Sequence, residues 1–149
     1  MLQIIIQGLL LSGLYALIAA GFTLIFSVGR VLNLAYGAML MLAAYAYFWT
    51  AQIQGFPKLL GVVAALAVGV ITAILIYRCI VRPLKSDQVA VEIATLILAV
   101  VLQAAVVLVF DDSAKILHPI VSGVWRVAGV TVTFNILIAT IVSWIILLG

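Results

Sequence analysis

Cysteine, histidine and charge are nearly absent from this 149-residue chain, and each scarcity excludes a class of function. The lone Cys79 rules out an internal disulfide, and with only His118 beside it no Cys/His metal cluster is available. Cys79 reads as a filler facing lipid or another helix. His118, followed by Pro119, reads as a solvated loop residue, and Asp111-Asp112 as a solvated helix exit. The net charge is +3, yet there is no basic run of the kind that binds nucleic acid. No nucleophile–base pair, metal-ligand spacing or phosphate-binding glycine loop is present, so neither catalysis nor ATP hydrolysis is expected of this chain. No Lys or Arg precedes Arg30, so a signal peptide's charged start is missing. The apolar run from Leu2 is also too long for a signal core, and a retained transmembrane segment is expected.

What fills the sequence instead is apolar: 68% of it is hydrophobic. Five stretches carry this character, Leu2–Val28, Leu34–Ala51, Leu59–Ile80, Ile93–Phe110 and Val130–Leu148. A hydrocarbon core about 30 Å thick takes about 20 residues of helix, and only self-satisfied backbones cross it. The expected fold is therefore all-α, a polytopic membrane protein of about five helices in a single domain over 1–149. Arg30 falls between the first two segments, and Arg78, Arg82 and Lys85 between the third and fourth. Lys58, Lys115 and Arg126 fall on the other side, so the positive-inside rule places the N-terminus outside.

Small residues recur at four-residue spacing in segment one (Ser12, Ala16, Ala20) and in segment three (Gly61, Ala65, Gly69, Ala73). Such stripes let helix backbones approach closely in lipid, which predicts packing faces. In segment four, Glu92, Thr95, Ala99 and Gln103 form one polar stripe. Glu92 suits the first turn of that helix, where a carboxylate complements the dipole. Gln103 fits either an interhelical hydrogen bond or a substrate path. Asn33 is suited to cap segment two, and Gly37 implies close approach of another backbone or a ligand. Gln54-Gly-Phe-Pro57 separates segments two and three, and Arg82-Pro83 is expected to interrupt the chain before segment four.

The stretch Gly8–Phe48 resembles the start of branched-chain amino acid permeases of ATP-binding-cassette importers. The residues that carry the resemblance are Gly13, Tyr15-Ala16-Leu17, Gly21, Leu24-Ile25-Phe26, Asn33, Ala35, Gly37, Met41 and Ala44-Tyr45. Arg82-Pro83-Leu84-Lys85, Ile93-Ala94-Thr95 and Gly129-Val-Thr131-Val follow in the family's order. The chain departs from the pattern at Tyr36, usually His, at Ala43, usually Gly, and at Ser27, usually Gly. The family runs to about twice this length, so the chain resembles an N-terminal half without the loop that docks on the ATPase. The resemblance implies a subunit importing hydrophobic amino acids handed over by an extracellular binding protein. A second permease and cytoplasmic ATPase subunits would complete it in the lipid of the cell membrane, with ATP used by those partners and no cofactor here. Asn33, Tyr36, Gly37, Thr95 and Gln103 would line or shape the pathway. The alternatives are a non-transporting membrane scaffold, a small channel, and a related importer for amides, urea or sugars.

Overall fold

A computed structural model describes residues 2–111, 124–127 and 130–148. The fold is all-α with one short hairpin. Helix α1 spans Leu2–Gly29 and α2 Tyr36–Phe48, the latter running into a π-helical turn at Trp49–Ile53. Helix α3 (Lys58–Ile76) continues through a second π turn, Tyr77–Val81, into the short α4, Arg82–Leu84. Helix α5 spans Gln88–Phe110, strands β1 and β2 cover Val124–Val127 and Val130–Thr133, and α6 covers Phe134–Leu148.

Three stretches among the described residues are long and apolar enough to cross a membrane: Ile4–Gly29, Lys58–Leu84 and Gln88–Phe110. Less than a fifth of each is buried within the chain, so their apolar surface is available to lipid or to other subunits. Helices α2 and α6 are shorter, at 13 and 15 residues. At 1.5 Å per residue each by itself falls short of the roughly 30 Å hydrocarbon core, and α2 is prolonged by the five residues of the π turn that follows it.

The chain divides into two compact units. In the unit formed by Met1–Leu24 and Pro119–Gly149, α1 meets α6. A Cβ added to Gly13 would lie 3.1 Å from both Thr140 Cγ2 and Trp144 Nε1. The Thr140 hydroxyl sits 2.8 Å from the Leu10 carbonyl, so a polar side chain of α6 bonds the backbone of α1. Gly13 is thus a close-approach residue of α1. Ser12, which heads the expected small-residue stripe, is exposed and donates to its own helix at the Leu9 carbonyl. In the same unit β1 and β2 pair antiparallel, from Val124↔Thr133 to Val127↔Val130. The segment expected as helix from Val130 therefore begins as strand and turns helical at Phe134; Val130-Thr-Val-Thr133 is rich in β-branched residues, which favour strand.

The second unit, Ile25–His118, is built around α2. A Cβ on Gly61 of α3 would meet Tyr47 of α2 and Ala51 of the π turn that continues it, and one on Gly69 would meet Ala43, so the two helices run antiparallel. Leu34, just before α2, bonds Thr95 of α5, while Tyr45 (tilted) and Phe48 (edge-on) pack against the ring of Phe110 at the far end of α5. Helices α2 and α5 are accordingly parallel. Gly55 at φ 69° and Pro57 turn the chain from α2 to α3, as the breakers predicted.

Pro83 does not end the third helical stretch where expected. A proline inside a helix has no N–H to donate, and its ring crowds the carbonyl four residues back, here Cys79. The π turn Tyr77–Val81 opens that register, with the Arg82 N–H bonding the Tyr77 carbonyl, and the helix continues to Leu84. Asp87 then caps α5, its carboxylate accepting from the Ala90 N–H at 3.1 Å. This start at Gln88 places Glu92 beyond the first turn, so Asp87 fills the role expected of Glu92.

Candidate functional site

The connection between α1 and α2 is irregular backbone packed inside the second unit. Helix α1 ends at Gly29, and the next residue, Arg30, bonds the Phe26 carbonyl through its N–H and has a left-handed φ of 51°. The chain then passes through Val31, Asn33 and Ala35, all buried. The Asn33 side-chain oxygen accepts from the Ala35 N–H at 3.0 Å, and its own carbonyl accepts from the Tyr36 N–H at 3.3 Å. That is an Asx turn ahead of the helix. The residue in the capping position is Ala35, which makes no side-chain cap bond, so Asn33 acts from two residues before the cap position expected of it. Its amide nitrogen points to Met39 Sδ at 3.7 Å, closing a small loop over the first turn of α2.

Thr95 holds this segment from the other side. It is fully buried, its hydroxyl accepts from the Leu34 N–H at 3.1 Å, and it donates to the Glu92 carbonyl at 3.1 Å. Thr95 lies seven residues past Gln88, about 10 Å along α5 at 1.5 Å per residue. The irregular backbone is therefore carried well along a spanning helix instead of staying at its end. Non-helical backbone at such depth is tolerated where protein or a polar cavity satisfies it, and Thr95 and Asn33 supply those bonds here. Val31, Ala35, Ala38, Ile76, Val81, Val91 and Ala99 form the apolar core around them.

Asn33 and Thr95 are thus brought together, flanking Leu34. Tyr36 is half-buried at the start of α2, and Gly37 is exposed, with nothing in the chain within 4 Å of an added Cβ. The close approach expected at Gly37 is absent among the described residues. Gln103 also parts company with its stripe. The buried face of α5 is Val91, Thr95, Ala99 and Val106, with Leu98 and Leu102 packed beside it, while Gln103 is exposed. The core has drifted toward Leu102 and Val106, and Gln103 is left at its edge.

The small-residue stripe on α3 lies along α2. Gly61 makes the tight contact, where an added Cβ would come within 2.9 Å of Tyr47 Cδ2 and 3.0 Å of Ala51 Cβ. Gly69 is looser, with Ala43 at 4.0 Å, and Ala65 and Ala73 are half-buried. Sequence reading passed over Thr140 and Ser143, both buried on α6, and Asp87. The first two carried a signal, being hydroxyls in an otherwise apolar helix.

The branched-chain amino acid transport system permease component, as a family model, matches residues 4–148. The chain belongs to this family. The high-affinity branched-chain amino acid transport system permease protein BraD of Pseudomonas aeruginosa is 25% identical over 162 residues, covering 99% of this chain and 53% of the relative. The chain spans about half the length of that relative. No solved structure matches. Asn33 and Ala35, which build the α1–α2 connection, and Thr95, which holds it, all lie inside the matched range.

Proposed function

We propose that this chain forms part of the membrane-spanning subunit of an ATP-binding-cassette importer for branched-chain or other hydrophobic amino acids. It is a translocating component and not an enzyme. Substrate arrives from an extracellular binding protein, the path runs beside a second permease, and cytoplasmic ATPases supply the work. The plasma or inner membrane is its location. The observation that carries this reading is the family match over residues 4–148, supported by the irregular segment clasped between Asn33 and Thr95. Broken helices that expose backbone at membrane depth are a recurring way to build transport sites.

Gly37 and Gln103 are the discriminating positions. Both are exposed within the chain, so substitution there leaves its own packing intact. In vesicles carrying the complete importer, Gly37→Val and Gln103→Leu should each lower ATP-driven leucine uptake by about tenfold, equivalent to about 1.4 kcal/mol. Leu108→Ala, at an exposed apolar position, should leave it unchanged. Leucine uptake that persists when this chain is omitted, or that ignores both substitutions, overturns the proposal.

A further inference from the structure

Two features of the second unit, neither required for a translocation path, adjoin on one helix. The first is an apolar groove of about 340 Å³ between α2, α3 and α5, lined by Leu42, Leu75, Ile76, Cys79, Leu98 and Leu102. Thr72 also borders it, but its hydroxyl is used internally, donating to the Val68 carbonyl at 2.7 Å. The groove therefore offers an occupant hydrocarbon contact and almost nothing polar. Taking a methylene at roughly the 30 Å³ share of a water molecule, it holds on the order of ten of them.

The second feature is cationic. Arg78, Arg82 and Lys85 are all exposed, Arg78 beside the groove-lining Cys79 and the other two beyond it toward the end of the helix. Arg78 lies in the π turn beside Cys79, Arg82 opens α4 and Lys85 caps it, so the three stand within about two turns at the end of the helix that carries Leu75. Arg82 lies two residues and Lys85 five beyond Ile80, which also lines the groove, so the charges stand within about one and a half turns of it. The nearby carboxylate of Asp87 is engaged in capping α5. Long basic side chains at the end of a spanning helix reach the interface, where they attract anionic headgroups.

We propose that this groove and cluster together bind one anionic phospholipid, its acyl chain along Leu75–Cys79 and its headgroup phosphate on Arg78, Arg82 and Lys85. Charge complementarity selects the headgroup and the dry lining selects the chain. A second copy of the protein fits less well, because it would bring its own cations against these.

Native mass spectrometry of the full chain in detergent, titrated with phosphatidylglycerol or phosphatidylcholine, tests this. One phosphatidylglycerol should be retained in clear preference to phosphatidylcholine, and soluble glycerol 3-phosphate should not compete. Arg78→Gln/Arg82→Gln/Lys85→Gln should weaken retention by on the order of tenfold or more, since each cation near an anionic surface contributes several-fold. Cys79→Trp, which fills the groove and keeps the charges, should weaken it as well, with helix content checked by circular dichroism. If Cys79→Trp loses its helix content, quenching of a reporter placed in the groove by Leu42→Trp, with dibrominated phosphatidylglycerol, decides, and the triple substitution should reverse it. Equal retention of both lipids, retention indifferent to the triple substitution, or efficient Cys79–Cys79 cross-linking between copies overturns the proposal.

Discussion

Single residues decide how closely these helices approach, and the cost of altering them differs sharply along one stripe. Gly61 and Gly69 look equivalent in the sequence, four-residue spacing and all, because spacing reports which face a residue occupies and not how near the neighbour is. In the structure Gly61 lies against the ring of Tyr47, whereas Gly69 has Ala43 at ordinary contact distance. Gly61→Ala should therefore destabilise the α2–α3 pair by about 1–3 kcal/mol, the usual cost of overpacking. Gly69→Ala should fall within about 0.5 kcal/mol of the parent. Thermal unfolding of both variants in the same detergent reads the difference, and equal midpoints would show that Tyr47 swings aside freely. Thr95 makes the complementary case. Its hydroxyl is the acceptor for the Leu34 N–H, so Thr95→Val keeps the shape and leaves a buried donor without that bond. A cost of about 1–3 kcal/mol is expected, with Thr95→Ser recovering most of it. That Thr95 mattered was legible from its place in a polar stripe, but its partner was not, because a backbone N–H leaves no mark in sequence pattern. Gln103 shows the reverse: the stripe included it, while the packed face follows Leu102 and Val106.

Elements were legible by their apolar lengths and misjudged where one residue type has two structural uses. The five helical regions were visible as hydrophobic runs, since hydropathy is what the bilayer reads. Proline removes a donor and so reads as a stop at Pro83, yet the π turn before it absorbs the defect and lengthens the helix to Leu84. The real boundary is the next turn, fixed by Asp87. Asp87→Ala should lower stability by about 1 kcal/mol through loss of the cap, and Asp87→Ser should retain most of it. Hydrogen exchange at Ala90 and its neighbours is the direct measure, and unaltered protection in Asp87→Ala would show that packing alone holds the start of α5. The Val130–Thr133 strand was missed for a related reason, as its residues are apolar enough to prolong the helical run that follows.

At the scale of the whole molecule, the organisation of the second unit sharpens a topology that sequence alone decided by a narrow margin. Counted along the chain, the two sides differ by four basic residues against three, Arg30, Arg78, Arg82 and Lys85 against Lys58, Lys115 and Arg126. Within the second unit α2 runs parallel to α5 and antiparallel to α3, so Arg30 and the cluster from Arg78 to Lys85 gather at one end, while Lys58 sits at the other beside the α2–α3 turn. The cluster lies directly at helix ends, where basic residues weigh most in deciding which side stays in the cytoplasm. That end is expected inside, which puts the α2–α3 turn outside and, with α1 crossing once before Arg30, the N-terminus outside as well. In a Cys79→Ala background, Gln3→Cys and Gln54→Cys should react with a membrane-impermeant maleimide added to intact cells. Ser86→Cys should react only after the membrane is opened, and this position tests the basic end without removing any of its charges. Labelling of Ser86→Cys in intact cells, with Gln54→Cys protected, would invert the whole arrangement and move the proposed lipid site to the outer leaflet.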